Sequence, residues 1–129
     1  MDIYVVGKWQ DRFKVRSIQA DLRELGHQIT VDWTTSDFGP DGVLGTPQRM
    51  QEIALEDLQG VKDADAVVAL IQDNNHVYKG VWVEIGIALA DNKPVYVIGN
   101  AGDTCIFMNH PAVRKITSLK DIEGKELLG

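Results

Sequence analysis

Five short runs along the chain predict strands, and those at residues 3–6, 64–71 and 94–98 are largely apolar. Each is bounded by Gly, Pro, Asp or a polar stretch, a pattern typical of strands buried in a parallel sheet. The runs lie at residues 3–6, 28–32, 64–71, 94–98 and 114–117. Strands that alternate with helices pair in parallel and carry the helices on their faces. The sequence therefore predicts one α/β domain over residues 1–129, a doubly wound parallel sheet of about five strands with helices on both faces.

Segments with apolar residues at helical spacing separate these runs. They predict helices at 11–25, 47–62 and 79–91, with Ser118 capping a last one. Asp11 is a helix-capping residue type, and Gly26 ends the first helix, whose apolar face is predicted to carry Val15, Ile18, Leu22 and Leu25. Thr46 and Pro47 are typical of a helix cap followed by its first helical position.

Charge and composition exclude some classes of function. The net charge of −6 argues against broad nucleic-acid binding, which needs basic clusters. One modest cluster, of Lys8, Arg12, Lys14 and Arg16, is typical of a solvated helix face, although it would also suit a single phosphate. No apolar run has membrane-spanning length and the N-terminus lacks a secretory signal, so we expect no membrane partner and a cytoplasmic protein.

Metal and cofactor chemistry have no support in the sequence. The lone Cys105 fits a reducing compartment and lacks the surroundings of a nucleophile. No His or Cys spacing typical of a metal site occurs. The Gly-rich fingerprints of nucleotide triphosphatases and dinucleotide-dependent dehydrogenases are also missing. We expect neither a metal nor a cofactor.

Asp57 lies in the apolar face of the second predicted helix. At about 100° per residue, its side chain falls within roughly 60° of those of Met50, Ile53, Ala54 and Val61. An ionised carboxylate there is costly unless it is paired or hydrogen-bonded. Two interpretations remain open, a structural Asp that accepts bonds from a neighbouring loop and an acid that faces a functional cavity.

Glu84 is the only charged residue in the apolar segment 81–90. Gly80, Ala88 and Asp91 share its helix face, so periodicity alone also fits a narrow solvent-exposed stripe. However, the small side chains leave room for a ligand, and this helix begins directly after the third strand. Doubly wound folds bind ligands at that edge of the sheet, which favours a functional Glu84.

The same rule nominates the residues that follow the other strands. They are Gly7–Trp9, Asp32–Trp33, Gln72–Asn75 and Gly99–Asn100. Trp9 and Trp33 are as consistent with walls of a pocket that stack on a base as with ordinary packing. Tyr78, which opens the third helix, would offer its hydroxyl to a ligand or be a surface aromatic, whereas Trp82 inside the apolar helix is predicted to belong to the core.

Two carboxylates in one cleft suit the cleavage of a glycosidic bond. One attacks or stabilises the anomeric carbon, and the other assists the leaving group. In a nucleoside the leaving group is the nucleobase. Where a covalent glycosyl ester forms, the acceptor decides the outcome, because water gives hydrolysis and a second base gives transfer.

These residues resemble a known family. Strand ADAVVAL, followed after a loop by VWVEIGIALADNKPV, resembles the nucleoside 2-deoxyribosyltransferases and the related deoxynucleoside 5′-monophosphate N-glycosidases. The pattern E-x-G-x-A-x-A-x-x-K-P-V is specific, and the N-terminal IYVVG also matches, so the resemblance extends over roughly residues 1–110. It implies a flavodoxin- or Rossmann-like fold and a small nucleoside or nucleotide substrate.

The resemblance also implies roles for individual residues. Glu84 falls on the nucleophile that takes up the deoxyribose, and Asp57 falls on an aspartate of the same active site. The residues that line the sugar or phosphate region fall on Gly7, Lys8 and Trp9. Gly80 is expected beside the substrate, next to Glu84.

A homo-oligomer, either a homodimer or a larger assembly, is the quaternary state that the resemblance implies. In this family a residue of a neighbouring subunit commonly completes the site. The segment after the fourth strand is the expected donor, and Asn109 is the residue assigned to this role.

The chain departs from the family pattern at the substrate end of the site. Six residues before the glutamate, transferases tend to carry an aspartate and monophosphate hydrolases a serine, but this chain has Tyr78. The turn GKWQDR also lacks the Ser/Arg-rich composition that holds a phosphate in the hydrolases. Deoxyribosyl transfer is our leading hypothesis, with hydrolysis of a 5′-monophosphate and non-catalytic binding of a nucleotide or ADP-ribose-like ligand as its rivals.

Overall fold

A computed structural model describes residues 1–35, 45–72, 78–99 and 105–122. The predicted strands and the three longer helices are present in the predicted order. They are β1 (Asp2–Val6), α1 (Arg12–Glu24), β2 (Gln28–Ile29), α2 (Pro47–Asp63), β3 (Ala66–Leu70), α3 (Lys79–Ala90), β4 (Val95–Ile98) and β5 (Val113–Ile116). Short 3₁₀ turns lie at Trp9–Asp11, Trp33–Thr35, Ile106–Asn109 and Leu119–Asp121.

The five strands form one parallel sheet in the order β2-β1-β3-β4-β5. The chain therefore leaves β1 toward one edge of the sheet and returns to build the other half from β3 onward. The point where the order reverses lies between β1 and β3, and ligands of doubly wound folds bind beyond the carboxyl ends of the strands there. The predicted fold class is confirmed.

The helices cover the two faces of the sheet. α1 packs on β1 and β2, whereas α2 and α3 pack on each other and on β1. Right-handed crossovers place α1 on the face opposite to α2 and α3. Every residue of β3 is buried and β1 is buried from Ile3 to Val6, which explains why these strands are continuous apolar runs. Within the described residues, no helix has both the length and the apolar composition needed to cross a bilayer.

The start of α2 follows the prediction closely. The side chain of Thr46 accepts a hydrogen bond from the backbone N–H of Arg49 at 3.1 Å, and Pro47 is the first helical residue. The end of α2 is held by Lys93, whose ammonium group donates to the backbone carbonyls of Val61, at 2.9 Å, and Lys62. A cation at the carboxyl end of a helix satisfies its last carbonyls and opposes its dipole. This contact gives the Lys of the K-P-V motif a structural role.

Several predicted details are wrong at the ends of elements. Leu25 is 43% exposed because α1 ends one residue before it, and Gln19 is buried on that helix instead. Asp11 stands at the N-terminus of α1 but its side chain makes no capping hydrogen bond. The second strand is only two residues long. Ser118 does act as a cap, but of the single 3₁₀ turn Leu119–Asp121.

Gly60 fixes how closely α2 approaches the sheet. A Cβ atom at this position would lie 2.8 Å from the ring of Tyr4 and 2.9 Å from the Cβ of Val31. No real Cβ tolerates such contacts, so glycine is needed for α2 to lie directly on β1. Asp57 is one helical turn before Gly60. The close contact therefore sets the position of Asp57 relative to the sheet.

Candidate functional site

Glu84 lies in the second turn of α3, above the central strands of the sheet. Its Oε2 atom is buried and makes no hydrogen bond with any residue that the structure describes. Burial is the main reason that the pKa of Glu84 rises to about 8. An uncompensated buried carboxylate destabilises a fold, and such groups concentrate at functional sites.

Two neighbours act on the Glu84 carboxyl group. The Tyr4 hydroxyl lowers the pKa of Glu84, as a hydrogen-bond donor would, although its contact falls short of full hydrogen-bond geometry. The negative charge of Asp57 has the opposite effect and raises the Glu84 pKa further. The structure thus brings the two predicted acids within electrostatic reach of each other.

Asp57 is the less buried of the two acids. Burial, with a smaller contribution from neighbouring Glu56, raises the pKa of Asp57 to about 6. Glu84 does not add to this shift because it still holds its proton in the pH range where Asp57 ionises. The pair therefore carries one proton between about pH 6 and pH 8, mainly on Glu84.

Tyr4 is a site residue that the sequence reasoning missed. It is fully buried in β1, and its hydroxyl points toward the space between α2 and α3. Burial, followed by the charges of Glu84 and Asp57, strongly raises the pKa of this hydroxyl. A buried tyrosine normally finds a hydrogen-bond partner, so a Tyr in a fully buried predicted strand was the available signal.

Gly80 borders the Glu84 carboxylate, as predicted. A Cβ atom at position 80 would lie 3.9 Å from Oε1 of Glu84, an ordinary contact distance. Gly80 is exposed, whereas Ala88 is buried against the core. The small residues therefore leave open space on one side of the carboxylate only, at the N-terminal end of α3.

The turn after β1 carries an aromatic pair. The rings of Trp9 and Trp33 are 6.4 Å apart at an angle of 46°. The indole N–H of Trp33 donates to the carbonyl of Val5 at 2.6 Å, and this ring is buried. Gly7 makes room for the side chain of Val15, because a Cβ there would lie 2.8 Å from it, whereas the Trp33 ring would lie at an ordinary contact distance of 3.8 Å. Trp33 is thus held as a fixed support, and Trp9 is the more accessible ring.

Lys8 and Tyr78 meet at the N-terminus of α3. The Lys8 ammonium nitrogen lies 5.4 Å from the centre of the Tyr78 ring. Tyr78 is only 2% exposed, so it is not a surface aromatic. The ring of Trp82 packs edge-on against Tyr78 at 6.0 Å and is partly buried against the core, as predicted.

Asn109 lies after the fourth strand, in the segment where the sequence placed it. It ends the 3₁₀ turn Ile106–Asn109 between β4 and β5, where its side chain is exposed. No hydrogen bond or ion pair among the described residues joins it to Glu84 or Asp57. Of the other segments predicted to line the site, residues 73–75 and Asn100 lie outside the described residues, as do residues 36–44 of the long polar loop. Within the described ranges, no three His, Cys, Asp or Glu side chains cluster as metal ligands.

Fold and site together define an α/β protein with an acidic site at the switch point of its sheet. Comparison with known sequences identifies the family. The chain belongs to the nucleoside 2-deoxyribosyltransferase family, whose sequence model matches residues 3–117. No curated protein sequence is similar enough to count as a match.

Two solved structures share the fold. A 2-deoxyribosyltransferase from Bacillus psychrosaccharolyticus superposes with a TM-score of 0.74 at 20% identity, covering 99% of this chain and 96% of that one. The CMP N-glycosidase BcmB from Clostridium botulinum superposes with a TM-score of 0.64 at 18% identity, covering 90% and 87%. At such low sequence identities, the structural similarity supports a shared fold and no more.

Proposed function

We propose that this protein cleaves the N-glycosidic bond of 2′-deoxynucleosides and transfers the deoxyribosyl group to another nucleobase, as an enzyme of nucleoside salvage. Family membership supports chemistry of the deoxyribosyltransferase or N-glycosidase type. The observation that carries the proposal is the buried Oε2 atom of Glu84, which has no hydrogen bond to any described residue, together with an Asp57 close enough to raise the Glu84 pKa. Two acids in one small space are what glycosidic cleavage requires.

The first half-reaction starts from the minor form of the pair, in which the proton has passed from Glu84 to Asp57. The ionised Glu84 oxygen bonds to C1′ of the sugar as the bond from C1′ to the base nitrogen breaks. The base departs with the electron pair of that bond, and a proton from Asp57 neutralises it. In the second half-reaction, a nitrogen of the incoming base attacks C1′, and the ester bond to Glu84 breaks. The incoming base returns its proton to Asp57, so both carboxyl groups end as they began.

The Tyr4 hydroxyl assists the step in which Glu84 must be ionised. It stabilises the carboxylate form, as the direction of its effect on the Glu84 pKa indicates. Burial has the opposite effect and makes the carboxylate more reactive than a hydrated one. Gly80 leaves the space next to Oε1 that a sugar needs.

A base-exchange assay tests the proposal. The protein is incubated with 2′-deoxynucleosides, with and without a second free base, and products are separated by chromatography. We expect a new nucleoside only when the acceptor is present, and a deoxyribosyl adduct on Glu84 by mass spectrometry. Glu84→Gln should give neither. Base release that needs no acceptor would favour the hydrolase, and ligand binding without base release would favour a non-catalytic module.

We further propose a homo-oligomer in which Asn109 of one subunit completes the site of its neighbour. Apolar side chains of the same 3₁₀ turn support this, because Ile106 and Phe107 are 77% and 59% exposed. On α3, Val83 is also 62% exposed. Exposed apolar side chains that are neighbours, as Ile106 and Phe107 are, contribute to the apolar patches that mark contact surfaces.

Complementation tests the shared site. Glu84→Gln and Asn109→Ala are each expected to be inactive, but co-folding the two should restore activity, because mixed oligomers contain some sites with both native residues. Two copies of the same variant mixed together serve as the control. A monomer in solution, or no recovery on mixing, would contradict the shared site.

A further inference from the structure

An ion pair is buried in the turn between β1 and α1. The ammonium nitrogen of Lys8 lies 3.8 Å from Oδ2 of Asp11, and the two side chains are only 10% and 11% exposed. Asp11 stands where helix-capping residues usually bond the backbone, yet it makes no capping bond. Its Oδ2 atom has no hydrogen bond to any described residue. The carboxylate of Asp11 is therefore oriented toward Lys8 and not toward its own helix.

This pair lies beside the start of α3, at one end of the candidate site. Lys8 contacts the ring of Tyr78, the residue that precedes α3. The first turn of α3 has no side-chain cap, and free backbone N–H groups at a helix start favour negative charge. Tyr78 is six residues before Glu84, which corresponds to about 9 Å along the helix. A sugar held at Glu84 spans much of that distance toward Lys8.

The other cations of the basic cluster are held away from this position. Arg12 stacks on the Trp9 ring at 4.6 Å and donates to the Trp9 carbonyl. Lys14 donates to the side chain of Gln72 at 2.8 Å. Arg16 donates to the side chain and the carbonyl of Thr34. Among the described residues of this cluster, Lys8 is the cation next to Tyr78, and its charge is balanced by Asp11.

The balance of charge opposes a phosphate. A phosphate monoester carries a charge of about −1.5 to −2 at neutral pH. It would enter a site that already holds the carboxyl groups of Glu84 and Asp57, and Asp11 offsets the positive charge of Lys8 there. A 5′-hydroxyl group brings no charge and meets none of this repulsion. Like charges placed against a wrong ligand are an effective source of specificity.

Resting on the proposed function, we propose that Asp11 is a specificity-determining residue: by neutralising Lys8 it makes the site select 2′-deoxynucleosides over their 5′-monophosphates. Asp11 acts through Lys8 and is a positioning residue. The proposal concerns binding, so it is tested separately from turnover.

The test measures affinity with the Glu84→Gln variant, which cannot consume the ligand. Titration calorimetry compares 2′-deoxyadenosine and 2′-deoxycytidine with their 5′-monophosphates. We expect each nucleoside to bind at least about 10-fold more tightly than its monophosphate. Adding Asp11→Asn, which keeps a good helix-capping residue type, should tighten monophosphate binding about 10-fold, equivalent to about 1.4 kcal/mol, and change nucleoside binding less than about threefold.

Two further variants separate specificity from a structural role. Asp21→Asn removes the same charge from the exposed side of α1 and should leave the ratio of affinities unchanged. Adding Lys8→Gln to Asp11→Asn should abolish the gain in monophosphate binding. Thermal melting of each variant verifies that it is folded.

The inference is overturned if the parent protein prefers the monophosphate, if Asp11→Asn leaves the ratio unchanged, or if neither class of ligand binds. Turnover by the protein with Glu84 intact is measured in parallel. Selective nucleoside binding without base release would leave the role of Asp11 standing and refute the proposed transferase. Release of the base from monophosphates alone would refute the role of Asp11.

Discussion

Two groups of polar side chains, each with buried members or buried atoms, lie on opposite faces of the sheet, and they differ in how their hydrogen bonds are satisfied. On the α1 face, one carboxylate oxygen of Asp32 accepts bonds from Gln19, at 3.2 Å, and from the backbone N–H and the hydroxyl of Thr34. Arg16 donates to the hydroxyl and the carbonyl of Thr34 at 3.0 and 2.7 Å. Each polar side chain in this group has a partner.

On the face of α2 and α3, the hydroxyl of Tyr4 and Oε2 of Glu84 are buried without a hydrogen-bond partner among the described residues. The Asp57 carboxylate adds repulsion to this group. Satisfied networks hold a fold together, whereas unsatisfied ones weaken it and need another explanation. This difference indicates that the group around Asp32 has a structural role, whereas the group of Tyr4, Glu84 and Asp57 forms a site for a ligand.

Replacing Asp57 by Asn should lower turnover strongly without abolishing it. We expect a loss of roughly 100-fold in kcat/KM, typical of a lost proton donor. The parent protein should show a bell-shaped profile with limbs near pH 6 and pH 8, because the pair holds one proton between these values. Asp57→Asn should lose the upper, falling limb and keep only the rise that follows ionisation of Glu84. A single rising limb near pH 8 in the parent protein would mean that Asp57 only orients Glu84.

Replacing Glu84 by Gln should stabilise the protein above neutral pH. The folded pKa of about 8 exceeds the ordinary value of 4.5, so the folded state holds the proton more tightly than the unfolded state. Stability therefore falls as pH rises from about 4.5 to 8. Urea denaturation at pH 5 and pH 8.5 should show this decline in the parent protein. Glu84→Gln should reduce it, by roughly 2–4 kcal/mol at pH 8.5. An equal decline in both proteins would contradict the burial of Glu84.

Removing the Asp32 side chain should destabilise the protein and change its activity little. Asp32→Ala leaves the donors of Gln19 and Thr34 without their acceptor, and we expect a loss of about 2–3 kcal/mol of folding free energy. Activity per folded molecule should change far less than in Asp57→Asn. Urea denaturation and base-release assays on the same sample measure both quantities. If Asp32→Ala were stable but inactive, the hydrogen-bond group around Asp32 would belong to the functional site. The assignment of a structural role to the α1 face would then be wrong.

Tyr4→Phe should give the smallest change. The Tyr4 hydroxyl lowers the pKa of Glu84, so its loss should move the upper limb of the pH profile to higher pH. The rate near neutral pH should fall about 3- to 10-fold, as for the loss of one hydrogen bond to a charged group. Tyr96→Phe is a matched control, because its hydroxyl is also buried and unbonded among the described residues. An equal shift in both variants would remove Tyr4 from the site.

The order of strands and helices was predictable because strands buried on both faces leave continuous apolar runs in the sequence. Asp57 and Glu84 were identifiable for a related reason, since a carboxylate stands out in an apolar helix. For Tyr4 the signal was incomplete: a Tyr in a buried strand indicates a hydroxyl that needs a partner, but only the packing of α2 on β1 shows where that hydroxyl points. The short length of β2 could not be predicted from the sequence either. Asp32 bonds the backbone of Thr34, and such local bonds compete with strand pairing.

The contrast between Gly60 and Gly80 bears on how this scaffold can change. At position 60 even a methyl group would collide with Tyr4 and Val31, while at position 80 it would meet only an ordinary contact with Glu84. Mutational drift and laboratory evolution are therefore expected to leave the seam between α2 and β1 untouched and to remodel the cleft from the start of α3. New substrate preferences should arise there first, by enlarging residue 80 one carbon at a time.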